Sequence, residues 1–220
     1  MGDRFRLSLA VGMLVAVTAC TDTRHVPFNA FRGDSGNPLV FTRQVAVQIS
    51  EETHAAPPNC LIVLPVEAEV PVPNAVLRRI EGRIVANLPR DLRVVFGNRR
   101  TTETLRRSID LRTDLGQSAF ARSIDCPYLL RARVTSAARD YLLVWARLRL
   151  GMEASMTRVP GEQVLWRARH EAMRTEGGAA LTPVGAVIES ALTANFLADD
   201  DQVESLIDDL VRRLFVSFPE

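Results

Sequence analysis

From Val144 the chain reads Trp145-Ala146-Arg147-Leu148-Arg149-Leu150-Gly151-Met152-Glu153-Ala154-Ser155-Met156, so that every even position is apolar while the odd ones include Trp145, Arg147, Arg149, Glu153 and Ser155. Successive side chains of a strand point to opposite faces, which makes this run a long strand with one buried face. Pro160-Gly161 supplies a turn, with Gly161 available for positive φ. Val164 to Met173 then runs back, with Val164, Trp166, Ala168 and Ala172 sharing the apolar parity. Even residues must pair with even ones, which calls for an odd-length loop, most simply three residues with a bulge at Gly161. His170 has the same parity and is expected inward or at the rim.

Upstream the apolar period changes. Leu61-Ile62-Val63-Leu64 reads as a buried strand, and Pro71 and Pro73 lead into a helix whose Val76, Leu77, Ile80, Ile84 and Leu88 recur at three- and four-residue steps. Pro89 closes that helix, and Leu92 to Phe96 is a second strand ended by Gly97-Asn98. Thr102 to Ser108 and Leu115 to Ser123 read as short helices delivering the chain to a third strand at Tyr128-Leu129-Leu130. Alternation of this kind implies a right-handed parallel arrangement. Downstream, Pro183 to Phe196 and a segment opened by Asp199-Asp200-Asp201 read as two final helices, the second with acids at its start and Arg212-Arg213 near its end, as the helix dipole favours. The expected fold is α/β. One alternating unit of three strands and helices is followed by a long antiparallel hairpin and two C-terminal helices on a mixed sheet, all within residues 58–218.

The first twenty residues carry a different signal. Arg4 and Arg6 precede an apolar run from Leu7 to Ala19, and Val17-Thr18-Ala19-Cys20 closes it. About 13 apolar residues are too few to span a bilayer as a permanent helix, yet they suit a secretory signal. The closing residues resemble a bacterial lipobox, which implies cleavage after residue 19 and acylation of Cys20; the alternative is an ordinary signal peptide with a chance cysteine. By the same resemblance, Thr21 directly after the cysteine favours the outer membrane. Residues 20–57 are expected to be a tether rich in Gly, Asn, Asp, Pro and Arg, with an edge strand over 44–50 where Val45, Val47 and Ile49 alternate.

The 220 residues are 47% hydrophobic and 24% charged, ordinary globular proportions. All 27 basic residues are Arg. Loss of residues 1–19 would leave 25 Arg against 25 acids, and without a basic excess nucleic acid is excluded as a partner. Cys60 and Cys126 stand just before two of the expected strands. In an oxidising compartment they form either a disulfide or two independent buried thiols.

Catalytic motifs are weak. Gly33-Asp34-Ser35-Gly36 resembles the nucleophile segment of trypsin-like serine proteases, but it stands in the expected tether, without the two barrels that carry that family's His and Asp. The histidines at 25, 54 and 170 and the cysteines offer no zinc spacing. Pro65-Val66-Glu67-Ala68-Glu69 stands where a phosphate-binding Gly-rich loop would be needed, and Glu67 and Glu69 read as loop acids. The expectation is a protein without catalytic activity, metal or cofactor.

One constellation rises above this background. The parity opposite the buried one collects Arg131, Arg133, Arg147, Arg149, Arg167 and Arg169 on one sheet face. Such a cluster is either compensated by Glu153, Glu171 and the acidic start of the last helix, or it forms a docking face for an acidic partner.

Three motifs in order carry a family likeness. Leu61-Ile62-Val63-Leu64-Pro65, then Cys126-Pro127-Tyr128-Leu129-Leu130-Arg131-Ala132-Arg133-Val134, then Gly161-Glu162-Gln163-Val164-Leu165-Trp166-Arg167-Ala168-Arg169, resemble landmarks of CsgG-type and TolB N-terminal-like bacterial lipoproteins. The chain has Cys126-Pro127 where those commonly carry an acid before the Tyr, and it lacks the inserted membrane hairpins of the curli secretion pore. The resemblance implies an interaction or assembly role in the cell envelope, with the lipid on Cys20 holding the chain at a membrane, an envelope protein as partner, and self-association as a further option. The alternatives are an auxiliary lipoprotein of an envelope lipid transporter and an activator of a cell-wall synthase.

Overall fold

The computed structural model describes residues 23–30, 44–96, 111, 113–142, 145–161, 163–177 and 200–219. The signal segment, Cys20, Ser35 and the helices expected at 102–108 and 183–196 lie outside the described residues.

The strands are β1 (Arg24–Pro27), β2 (Gln44–Ile49), β3 (Cys60–Val63), β4 (Glu67–Ala68), β5 (Arg93–Phe96), β6 (Tyr128–Leu142), β7 (Trp145–Arg158) and β8 (Gln163–Gly177); among the described residues the helices are α1 (Glu51–Ala55), α2 (Asn74–Ala86), α3 (Asp114–Ser123) and α4 (Asp200–Phe215). They build an α/β fold on one mixed sheet of order β1-β2-β8-β7-β6-β3-β5, with β4 added to β6. β3, β5 and β6 are mutually parallel neighbours around β3, whereas β6, β7, β8 and β2 run antiparallel in turn.

The alternation of β7 is realised in packing. Leu148, Leu150, Met152, Ala154 and Met156 are buried, together with Leu130, Ala132 and Val134 of β6 and Trp166, Ala168 and Ala172 of β8. This even face receives α2 through Val76, Leu77, Ile80 and Ile84, and α4 through Val203, Leu206, Ile207, Leu210, Val211 and Leu214. Trp166 is fully buried between Phe215 and Phe218, with ring centroids 5.4 and 5.2 Å away, and its indole N–H donates to the Ser217 carbonyl at 2.9 Å. The other face is covered at one end by α3, whose Phe120 and Ala121 pack with Ile62, Leu64 and Leu129.

Even residues of β7 pair with even residues of β8, Met156 with Trp166 and Ala154 with Ala168, but the expected turn is corrected. The connection is four residues, 159–162, and the compensating bulge lies at Leu165 rather than Gly161, because the register shifts between Met156 and Thr157. The bulge is held from outside the hairpin: the Leu165 carbonyl accepts from the Ser50 amide at 2.8 Å and from Thr53 Oγ1 at 3.1 Å. It also turns Val164 to the opposite face, where it is 38% exposed instead of joining the core.

Four elements were not expected. Residues 24–30, assigned above to the tether, form β1 and a 3-10 turn, so β2 is an inner strand and not an edge. α1 is a single turn capped by Ser50, whose hydroxyl accepts from the Thr53 amide. β4 extends the pairing of β3 along β6, although Glu67-Ala68 has no apolar period of its own. β6 continues to Leu142 past a bulge at Thr135, between Val134 and Ser136.

Gly151 sits opposite that second bulge. A Cβ built there would collide with Ser136 Oγ and stand 3.1 Å from Thr135 Oγ1, while Ser136 Oγ itself donates to Glu171 Oε2 at 2.9 Å. Gly151→Ala is expected to lower stability by about 1–3 kcal/mol, the range for overpacking. Ser136→Ala placed in the same chain should recover part of that loss in denaturant titrations; strictly additive losses would show that the clash is not with Ser136.

Cys60 and Cys126, at the starts of neighbouring β3 and β6, form a disulfide with Cα atoms 5.8 Å apart. The bridge spans 66 residues, for which the chain-entropy relation gives about 4 kcal/mol. In thermal unfolding, Cys60→Ala/Cys126→Ala should melt roughly 8–16 °C below the parent, given the slope expected of a domain of this size.

Candidate functional site

The register places all six arginines on one sheet face. Arg131 lies across from Ser155, which lies across from Arg167; Arg133, Glu153 and Arg169 form the next row; Arg149 and Arg147 follow along β7. Side chains directly opposite on neighbouring strands have Cβ atoms roughly 5 Å apart, so Glu153 stands within reach of both basic neighbours.

Much of this charge is engaged within the chain. Arg133 Nη1 donates to Glu69 Oε1 at 2.8 Å. Arg167 donates through Nε and Nη2 to Glu153 Oε1, at 2.9 and 2.6 Å, and lies 4.0 Å above the Phe28 ring. Arg131 donates to Thr157 Oγ1 at 3.0 Å and to Gln117 Oε1 of α3. Arg147 is buried, Arg149 and Arg167 half-buried, and among the six only Arg133 and Arg169 count as exposed. Glu153 and Glu69 are therefore compensating acids, and Glu171 Oε2 accepts from Ser136 Oγ. The last helix packs on the other face, away from the arginines, and there its Glu204 and Asp208 meet Arg83 of α2 at 2.6 and 3.4 Å. Glu69, read as a loop acid, is thus a partner of the arginine face, brought there by β4.

A second polar cluster, which the sequence analysis did not assemble, joins the N-terminal segment to α4. Asp209 Oδ2 and Oδ1 accept from Arg213 Nε at 2.8 and 2.9 Å, and Oδ1 also accepts from Arg212. Arg213 Nη1 reaches on to Thr23 Oγ1 at 2.8 Å. Burial raises the Asp209 pKa, but the Arg213 and Arg212 guanidinium groups outweigh it and hold the carboxyl below its usual range. Beside this cluster His170 is 2% exposed, and its Nδ1–H donates to the Gln44 carbonyl at 2.9 Å. Burial pushes the His170 pKa down; the Gln44 carbonyl opposes that, Arg213 adds to it and Asp209 opposes it.

The remaining candidates do not converge. His25 and His54 are exposed and in separate elements, and among the described residues no group of three or more His, Cys, Asp or Glu side chains is placed to hold a metal. Among the described residues no helix is long and apolar enough to cross a membrane.

No protein-family model matches the chain, and no curated protein matches it in sequence. Among solved structures it is similar to the PelC dodecamer from Paraburkholderia phytofirmans, with 16% identity over 77% of this chain and 95% of that one at a TM-score of 0.42. Lipoprotein GNA1162 from Neisseria meningitidis shares 15% over 67% and 99%, at 0.46. A minor lipoprotein from Acinetobacter baumannii shares 14% over 72% and 90%, at 0.39. Likenesses this distant leave function to the chain's own residues, and the CsgG and TolB resemblance rests on the three motifs alone.

The buried imidazole has a testable consequence. In the unfolded chain a histidine takes up its proton as pH falls through about 6.5, whereas folded His170 does so only at lower pH, so acidification favours the unfolded state. The parent should lose stability between pH 7 and 5. His170→Asn, which keeps a donor for the Gln44 carbonyl but does not titrate, should show a flatter profile by urea unfolding across that window.

Proposed function

We propose that the chain is a lipid-anchored protein of the bacterial cell envelope, held on the periplasmic side of the outer membrane through Cys20, and that it acts by binding another envelope component without catalysis of its own. The observation that carries this reading is the basic start, short apolar run and Val17-Thr18-Ala19-Cys20 closure of the N-terminus. The bridge between Cys60 and Cys126 supports an oxidising compartment independently, since structural disulfides persist outside the cytosol. Arg133 and Arg169, the exposed part of the arginine face, are the residues through which an acidic partner would be met. Metabolic labelling with an alkyne fatty acid should mark the wild-type chain, with residues 1–19 removed, and leave Cys20→Ser unmarked. A full-length, unlabelled product in the cytosol would overturn the reading. Cross-linking in intact cells then sorts the partner: a transporter permease, a cell-wall synthase or copies of the chain itself each identify a different role.

A further inference from the structure

The length of the leash follows from where the folded body begins. If residues 20–43 were free, Cys20 would stand an r.m.s. distance of roughly 25–30 Å from Gln44, the range of a flexible chain of that length. The structure ties the chain down much earlier. Thr23 accepts from Arg213 near the end of α4, Arg24 to Pro27 pair along Gln44 to Val47, and the Phe28 ring lies under the Arg167 guanidinium. These are three separate kinds of contact, to a helix, to a backbone edge and to the arginine face. The three residues from Cys20 to Thr23 span at most about 11 Å even when fully extended.

We infer that the domain is seated on the surface of the membrane that holds Cys20, with the start of β1 and the C-terminal turn of α4 toward the bilayer, and that its partner is embedded in or bound to that same membrane. This rests on the acylation of Cys20 proposed above. The end of α4 suits such a position. Val216 is 66% exposed, one of three large exposed apolar residues among those described, and it follows Arg212 by one turn, with its amide bonded to the Arg212 carbonyl at 3.1 Å. An exposed aliphatic group there matches a headgroup boundary, where it can meet acyl chains. Leu115, on α3, lies toward the far edge of the sheet: β1 and β5 are its two ends, six strand spacings or about 29 Å apart.

The test uses the mature acylated protein, beginning at Cys20, in vesicles of phosphatidylethanolamine and phosphatidylglycerol that carry a nitroxide on a fraction of the headgroups. A fluorophore is attached through Arg212→Cys or through Leu115→Cys, Cys60 and Cys126 being bridged and Cys20 acylated. Arg212 is remote in sequence from the anchor, so only a seated body brings it near the surface. The expected result is quenching several-fold stronger at position 212 than at 115. Insertion of a twelve-residue Gly/Ser segment between Thr21 and Asp22 should abolish that difference without changing the melting temperature. Equal quenching at the two positions overturns the seating while leaving the lipoprotein reading intact, and a contrast that survives the insertion overturns the short leash as its cause. A mass for the N-terminal peptide that shows no fatty acid on Cys20 removes both.

Discussion

The structure depends on the register of three long antiparallel strands. β6, β7 and β8 place Leu130, Ala132 and Val134, Leu148 to Met156, and Trp166 to Ala172 on one face, and a slip of one residue in any of them would carry that set to the other side. Two bulges reconcile this requirement with the local chain. The one at Leu165 lets the hairpin close through four residues and still deliver Trp166 to the core, where Phe215 and Phe218 meet it. The one at Thr135 carries β6 past Gly151, and Ala137 then takes the core side in place of the even positions. Helices α2 and α4 find their seats only because this face is continuous.

How much of this was legible follows from what each signal encodes. Strict alternation in β7 and three- and four-residue steps in α2 and α4 are burial patterns, and burial on one side is what the sheet and helices share. The bulge at Leu165 left no comparable mark, because its stabilising contacts come from Ser50 and Thr53, more than a hundred residues earlier. β1 and β4 escaped because an edge pairing satisfies backbone groups without requiring apolar side chains: Arg24 and Glu67 sit in such pairings while exposed. α1 did carry a signal, Ser50 followed by Glu51, Glu52 and Thr53, which is helix-capping chemistry, though one turn is too short to show periodicity. The cluster of Thr23, Gln44, His170, Asp209 and Arg213 joins four distant segments, and nothing in their spacing announces it.

The arginine face shows how composition and geometry diverge. Parity alone brings six guanidinium groups together, but it does not reveal how deep each lies or which acids cross over. Glu153 lies within the same strands, whereas Glu69 arrives from β4 and Gln117 from α3. The result is a partly neutralised polar layer whose exposed members are Arg133 and Arg169.

The bridge between Cys60 and Cys126 fastens the head of β3 to the head of β6, and the whole of α2, β5 and α3 lies between them. A newly made chain in a reducing cytosol lacks that staple. Under the export proposed above this would act as a timing device: the polypeptide would stay easier to unravel while it is threaded through a translocation channel, and would become locked only once an oxidant is met on the far side.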